Sequence, residues 1–314
     1  MASEPKTLQE AILYFADPVN CREYLVARRW PKGVSCPRCG STDVLFLEKY
    51  NRWHCRAKHE APQFTLKTGT IMEDSPIGLD KWLTAMWQVV NCKNGISSYE
   101  IHRALGITQK TAWFLDHRIR LALTNGSFEK LSGEIEADET YIGGKARNMH
   151  KGKRARKITG TGYKDKAAVM GILERGGKVR TSILPSTKRK TIQAEVRKYV
   201  EAGSALYTDA LHSYQGLNEF EHQVIDHAVA YVDGKIHTNG LENFWSLLKR
   251  GINGTYVSVE PFHLFRYLDE QAYRYNNRKM TDAERFDAAV KGIVGKRIMF
   301  DELTGKTLEA DPRA

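Results

Sequence analysis

The sequence predicts a mixed α/β protein in two parts: a first part of turns and helices, and a larger second part in which helices cover a sheet. Three observations lead there. A tight cysteine pair, Cys36 and Cys39, with a third cysteine at Cys55, marks a compact module near the N-terminus. Helical periodicity then runs from Leu79 onward and is broken at Gly106. After the turn signal Thr124-Asn-Gly-Ser127, apolar runs of strand length alternate with helical stretches, the order of a layered α/β domain.

The elements follow in order. Residues 8–30 read as a short helical hairpin ending at Arg29-Trp30-Pro31, and residues 34–66 as short strands and turns around the cysteines. From Leu79 to Asn91, Trp82, Met86, Val89 and Val90 recur on one side of a helix. Residues 134–142 alternate as a strand. The apolar runs 167–173 and 178–184 are joined through Arg175-Gly-Gly177, which reads as a hairpin turn. Residues 191–202 are helical, and 205–208 form a short strand ending on Asp209. Two helices follow, over 241–252 and 261–276. The expected domains are a helical segment at 1–33, the cysteine module at 34–66, a helical region at 79–125, an α/β domain at 130–290 and a polar tail at 291–314.

Composition narrows the class. The 314 residues suffice for one sizeable core with one or two small modules. With 41% hydrophobic and 27% charged residues the chain is globular rather than disordered. No apolar run reaches about 18 residues, so no membrane partner is expected. Residues 1–10 are polar and carry acids, unlike a secretory signal, so a cytoplasmic location is expected. A net charge of +11 favours a partner with a phosphate backbone.

Cys36-Pro-Arg-Cys39-Gly40 is a thiolate pair on a turn, and zinc asks for four nitrogen or sulfur ligands in a tetrahedron. The second pair must come from Trp53-His54-Cys55-Arg-Ala-Lys-His59. Cys55 with His59 is the expected choice, and His54 is the alternative fourth ligand. Adjacent side chains in an extended segment point to opposite faces, which disfavours His54 beside Cys55. Further on, Ser97 to Leu105 and Gln109 to Arg120 are two helices joined at Gly106-Ile-Thr108, a helix-turn-helix pattern. Its core would be Ile101, Ala104, Leu105, Ile107, Ala112 and Leu115. Gln109, Lys110 and Thr111 would then begin the recognition helix, where base edges of double-stranded DNA are met.

Three acids stand out in the second part: Asp138 on the first strand, Asp209 at the end of a short strand, and Glu242 on an amphipathic helix. Acids inside an apolar strand call for a ligand. A few carboxylates suffice to hold magnesium or manganese ions for phosphoryl transfer. Glu136 and Glu139 read as solvated strand residues. Glu242 has a second reading, since Asn239-Gly-Leu-Glu242 has capping-box spacing, and Asn239 itself could be the third ligand. Lys249 shares a helix face with Glu242, and with Arg250 it could meet phosphate. The stretch 145–166 is rich in Lys and Arg and reads as a loop that closes on DNA or as a solvated insertion.

The chain resembles the ISXO-two-like insertion-sequence transposases. The motifs that carry the likeness are Arg29-Trp30-Pro31 with the cysteine pair, Lys67-Thr-Gly-Thr-Ile71 before Lys81-Trp82, Glu136-Ala-Asp138-Glu-Thr-Tyr-Ile-Gly-Gly144, Tyr207-Thr-Asp209, and His237-Thr-Asn-Gly-Leu-Glu242-Asn-Phe-Trp-Ser-Leu-Leu-Lys-Arg250 with Gly254-Thr-Tyr256. The resemblance implies a ribonuclease H-like domain that cuts DNA at element ends and joins it to a target. It places the family's acids on Asp138, Asp209 and Glu242, and related members differ at the third. It implies terminal inverted repeats and target DNA as partners and a homo-oligomer in the DNA complex. Such ribbons usually close with a fourth cysteine, where this sequence offers Lys58-His59. The rivals are a nuclease or resolvase on the same fold, and a DNA-binding regulator with a dead catalytic domain.

Overall fold

The structure, a computed structural model, describes residues 3–124, 129–143, 150–157, 166–225 and 237–305. The helices are α1 (Leu8–Phe15), α2 (Pro18–Arg29), α3 (Leu79–Asn91), α4 (Ser98–Leu105), α5 (Gln109–Ala122), α6 (Lys151–Lys157), α7 (Arg189–Tyr199), α8 (Asn239–Arg250), α9 (Leu264–Asn276), α10 (Asp282–Lys291) and α11 (Phe300–Leu303). The strands are β1 (Val44–Leu47), β2 (Arg52–Cys55), β3 (Gln63–Phe64), β4 (Glu134–Ile142), β5 (Ala167–Glu174), β6 (Val179–Leu184), β7 (Ala205–Asp209) and β8 (Glu221–Ile225). No helix among the described residues is long and apolar enough to cross a membrane.

The chain divides into two compact units. One contains residues 1–124 together with 279 onward; the other is 125–278. The α/β unit therefore ends at Arg278, short of the expected 290, and α10 belongs to the first unit. The physical reason is a shared core: Phe286 of α10 lies 4.9 Å from Trp87 of α3 and 5.7 Å from Phe15 of α1, ring centre to ring centre. Arg28 of α2 binds Asp287 at 2.7 Å. Further along, the backbone N–H of Ile71 donates to Ile293 and that of Gly295 donates to Gly69. The described part of the expected polar tail is thus structural, with Ile293, Ile298 and Leu303 all buried. The turn expected at 124–127 and the rest of the tail lie largely outside the described residues.

In the first unit, β1, β2 and β3 form an antiparallel three-stranded sheet. Trp53 and Phe64 stack on it at 5.9 Å, with Trp30 against both. Helix α4 is held by a full capping box between Ser97 and Glu100 and stops at Gly106, whose φ of +59° closes the helix in the left-handed region. Thr108 then caps α5 by accepting from the backbone N–H of Thr111. Ile101, Ala112 and Leu115 are buried between the helices, Leu105 and Ile107 half-buried, and Ala104 is exposed, contrary to its expected core role.

The second unit is a five-stranded sheet in the order β6-β5-β4-β7-β8. The first three strands pair antiparallel and the last three parallel. The strands β4, β5 and β7 occupy the centre, and their middle residues, the acid Glu136 of β4 included, are buried on both faces. On one face Ile135, Ala137 and Leu206 pack with Ile192 and Val196 of α7; on the other Val169 and Leu173 pack with Leu241, Phe244 and Leu248 of α8 and Leu268 of α9. Helix α7 stops at Tyr199 rather than at 202, because Val200 bridges to Leu131. Strand β8 has no apolar alternation and was not expected; its polar composition suits an edge. A short helix, α6, occupies part of the basic 145–166 stretch, most of which lies outside the described residues.

Candidate functional site

The cysteine module brings Cys36, Cys39, Cys55 and His59 together, with one ligand atom of each within 4.8 Å of all the others. Cys36 Sγ lies 3.6 Å from His59 Nε2, and Cys39 Sγ 3.6 Å from Cys55 Sγ. A tetrahedral zinc with metal–sulfur bonds of about 2.3 Å has ligand–ligand edges of about 3.7 Å, so the spacing fits zinc. His59 Nδ1 donates to the Glu60 carbonyl at 2.7 Å, which leaves Nε2 free to face a metal. Burial alone would raise the Cys36 thiol, but the backbone N–H groups of Cys39 and Arg38 together with the Cys39 and Cys55 thiols bring it down to about 7. His54 is outside the group; it sits in β2 opposite Leu45, on the face away from Cys55.

Of the residues expected to start a recognition helix, only Lys110 is exposed. Its ammonium lies 4.5 Å from the ring centre of Phe300. Gln109 donates to Ser98 Oγ at 3.0 Å, and the hydroxyls of Thr111 and Thr108 bond at 2.7 Å. Lys110 and Thr111 line a cavity of about 330 Å³ with Trp82, Phe114, Arg118 and Phe300.

In the α/β unit the register of β4 and β7 decides the geometry. Ala137 pairs with Thr208 in parallel, so Asp138 and Asp209 come next side by side at the strands' carboxyl ends. Asp138, Glu139 and Asp209 each offer an oxygen within one 4.8 Å group. Glu139 leaves β4 on the opposite face from Asp138 and accepts a hydrogen bond from the hydroxyl of Tyr214, which is fully buried. Burial first, and then the charges of Asp138 and Asp209, push Glu139 up to about 8, against the Tyr214 bond. Burial likewise raises Asp138 to about 6, despite the bond from Trp245, with the charges of Asp209 and Glu242 adding to it. Crowded carboxylates of this kind suit a hard divalent cation.

Glu242 is exposed and stands outside that group, but near enough to act on Asp138 electrostatically. The capping-box reading does not hold. The cap of α8 is Thr238, one residue before Asn239, and its side chain caps nothing. What anchors this end is Glu136, which is 1% exposed and far from the solvated role expected of it. Its carboxylate accepts from the backbone N–H of Leu241 at 3.0 Å and from Arg175 Nε at 3.0 Å, with His237 Nδ1 at 3.4 Å. Gly240 gives room for this approach: a Cβ there would lie 2.5 Å from Leu173 Cδ2 and 2.8 Å from Glu136 Oε2, and both side chains would have to shift. Lys249 and Arg250 are exposed in the last turn of the same helix.

Sequence reasoning missed Glu136, Glu139, Arg175, Tyr214 and Trp245. Two signals were available. Glu136 and Asp138 share one strand face, and Gly171 interrupts an apolar strand, a mark of close approach.

Comparison with known proteins finds two matching family models and two relatives. The ISXO2-like transposase domain matches residues 130–276, and the transposase zinc-ribbon domain matches residues 17–57. A protein of the transposable element ISH50 of Halobacterium salinarum is 27% identical over 256 residues, covering 76% of this chain and 84% of that one. A transposase-like protein of Haemophilus influenzae is 31% identical over 105 residues, 33% of this chain and 85% of that one. No solved structure matches.

Proposed function

The chain belongs to the ISXO2-like transposase family, and from that premise we propose that it binds the terminal repeats of an insertion element in the cytoplasm, cuts there and joins the freed strand to target DNA. The observation that carries the chemistry is the side-by-side pair Asp138 and Asp209 at the ends of β4 and β7. The strand order and the helices on both faces support a ribonuclease H-like domain.

Asp138 and Asp209 would hold two magnesium or manganese ions, with Glu242 as third ligand from α8. Bound there, the ions supply an activated nucleophile, first water and then a DNA 3′-hydroxyl, and neutralise the leaving oxygen. The residues do the rest. Glu136 ties the start of α8 to β4, which holds Glu242 on the side where Asp138 opens. Glu139 lies within reach of the same cations, oriented by Tyr214. Lys249, two turns along α8, meets an adjacent phosphate, and Arg250 a neighbouring one. In the first unit, zinc on Cys36, Cys39, Cys55 and His59 holds the ribbon. The capped α4–turn–α5 arrangement supports a helix-turn-helix, with Lys110 at the DNA backbone and Gln109 and Thr111 near base edges. Paired ends in one complex call for at least two copies of the chain.

The test uses purified protein, duplex DNA of the element end and Mn²⁺. Wild type should nick the end and join it to a plasmid. Asp138→Asn, Asp209→Asn and Glu242→Gln should each abolish cleavage and keep end binding. Cleavage without joining would make the protein a nuclease, and end binding with neither would make it a regulator. An active Glu242→Gln would move the third ligand to Glu139 or Asn239.

A further inference from the structure

Trp245 stands on the sheet-facing side of α8, 4% exposed, in the apolar cluster with Leu241, Phe244 and Leu248. Packing would be served by any large ring. Its polar atom is placed with more purpose: the indole Nε1–H donates to Oδ2 of Asp138 at 2.9 Å. The other oxygen, Oδ1, accepts from the backbone N–H of Glu139 at 2.8 Å. Each carboxylate oxygen thus carries one donor and keeps a lone pair for something else. With both oxygens held, rotation of the carboxyl group about its own axis is blocked.

The indole reaches Asp138 only because residue 171 is glycine. Gly171 is the partner of Asp138 in the β4–β5 register. A Cβ at 171 would lie 2.6 Å from Trp245 Cζ2 and 2.8 Å from Leu241 Cδ2. A strand interior ordinarily disfavours glycine. Here the missing side chain makes the gap through which a helix side chain crosses β5 to the acid on β4.

We infer that Trp245 is a positioning residue for metal binding: its indole N–H fixes the Asp138 carboxylate in the orientation that faces Asp209, and Gly171 gives it room. The inference rests on the reading of Asp138 and Asp209 as cation ligands. The bland alternative runs the other way. A buried indole N–H needs an acceptor, and Asp138 would then serve Trp245 rather than be served by it.

Binding of Mn²⁺ to the full-length, zinc-loaded protein at fixed pH separates the two, read by the paramagnetic resonance signal of free Mn²⁺. Wild type, Asp138→Asn and Trp245→Phe are compared, and thermal midpoints are recorded alongside. Loss of an outer partner of a metal ligand typically weakens the metal by roughly 10–100-fold. Trp245→Phe should therefore weaken Mn²⁺ by about tenfold and raise the Mn²⁺ needed for cleavage by as much, while the KM for end DNA stays put. If Trp245→Phe changes only the thermal midpoint, the inference is overturned. If Asp138→Asn binds Mn²⁺ as wild type does, the underlying reading of Asp138 is what fails. Should Trp245→Phe not fold, replacing the indole by its benzothiophene analogue keeps the ring shape and removes only the N–H. Unchanged Mn²⁺ affinity in that protein overturns the inference equally.

Discussion

Glu139 and Asp138 carry a penalty that depends on pH. Burial, reinforced by neighbouring carboxylates, raises them to about 8 and about 6, whereas both ionise near pH 4 in an unfolded chain. A carboxyl group whose folded value lies above its unfolded one binds its proton more tightly when folded. Its contribution to stability therefore falls as pH rises from about 4 and is fully lost above the folded value. In metal-free protein the thermal midpoint of wild type should drop relative to Glu139→Gln between about pH 4.5 and pH 8. Added Mn²⁺ should close the difference at pH 8. Parallel curves for the two proteins would show that Glu139 ionises normally. His222, whose charged form is disfavoured by burial, is common to both proteins and cancels in the comparison. None of this was legible at residue level, because a strand glutamate is solvated or buried according to what covers it, and here the cover is Tyr214, 75 positions away.

At the level of elements, the two metal groups differ in how far their parts are spread along the chain. In the ribbon, the grouping of Cys36, Cys39, Cys55 and His59 was legible, because these residues lie within one short segment and strand alternation turns His54 to the other face; zinc on His59 is the proposal this grouping supports. His59→Ala should lose about one zinc per chain by metal analysis, and His59→Cys and His54→Ala should keep it. Zinc loss on His54→Ala alone would reverse the assignment. The start of α8 is a different matter. Glu136 finds Arg175 39 positions away and Leu241 105 positions away, so periodicity gives only the two partners' elements and not their meeting. Breaking a buried ion pair by removing one charge costs about 3–5 kcal/mol. Glu136→Gln should lose that order of stability in a denaturant titration. Glu136→Gln with Arg175→Met should recover part of it, because the mostly buried guanidinium is then no longer left with only the looser Glu134 carboxylate at 3.9 Å. If the double variant is no more stable than the single, the pair does not act as a unit.

On the scale of the whole molecule, β4 to β7 and most helices of 8–276 were legible, since long periodic runs declare themselves, whereas the polar edge strand β8 was not. Nor was the assignment of α10. Its apolar positions Phe286, Ala289 and Val290 say that it packs, but nothing local says on which unit. The first unit needs it, through Phe286 against Phe15 and Trp87. A fragment ending at 124 should therefore fail to unfold cooperatively, by circular dichroism on heating. The same fragment joined to 279–305 by a flexible linker should unfold in one transition. A cooperative transition in the shorter fragment would show that α10 is dispensable.

That arrangement sets a timetable for the growing polypeptide. Domains generally fold in the order in which they leave the ribosome. Here the α/β unit emerges whole while the unit begun before it still waits for Phe286 and Leu303. A nascent chain thus passes through a stage with its carboxylates assembled and the aromatic faces of Phe15 and Trp87 uncovered, the kind of surface that chaperones hold and proteases clear. Translation stopped just after 278 should yield short-lived products rather than a lingering competitor for element ends, and pulse-chase labelling of such truncated chains would show a half-life well below that of chains extending through 305.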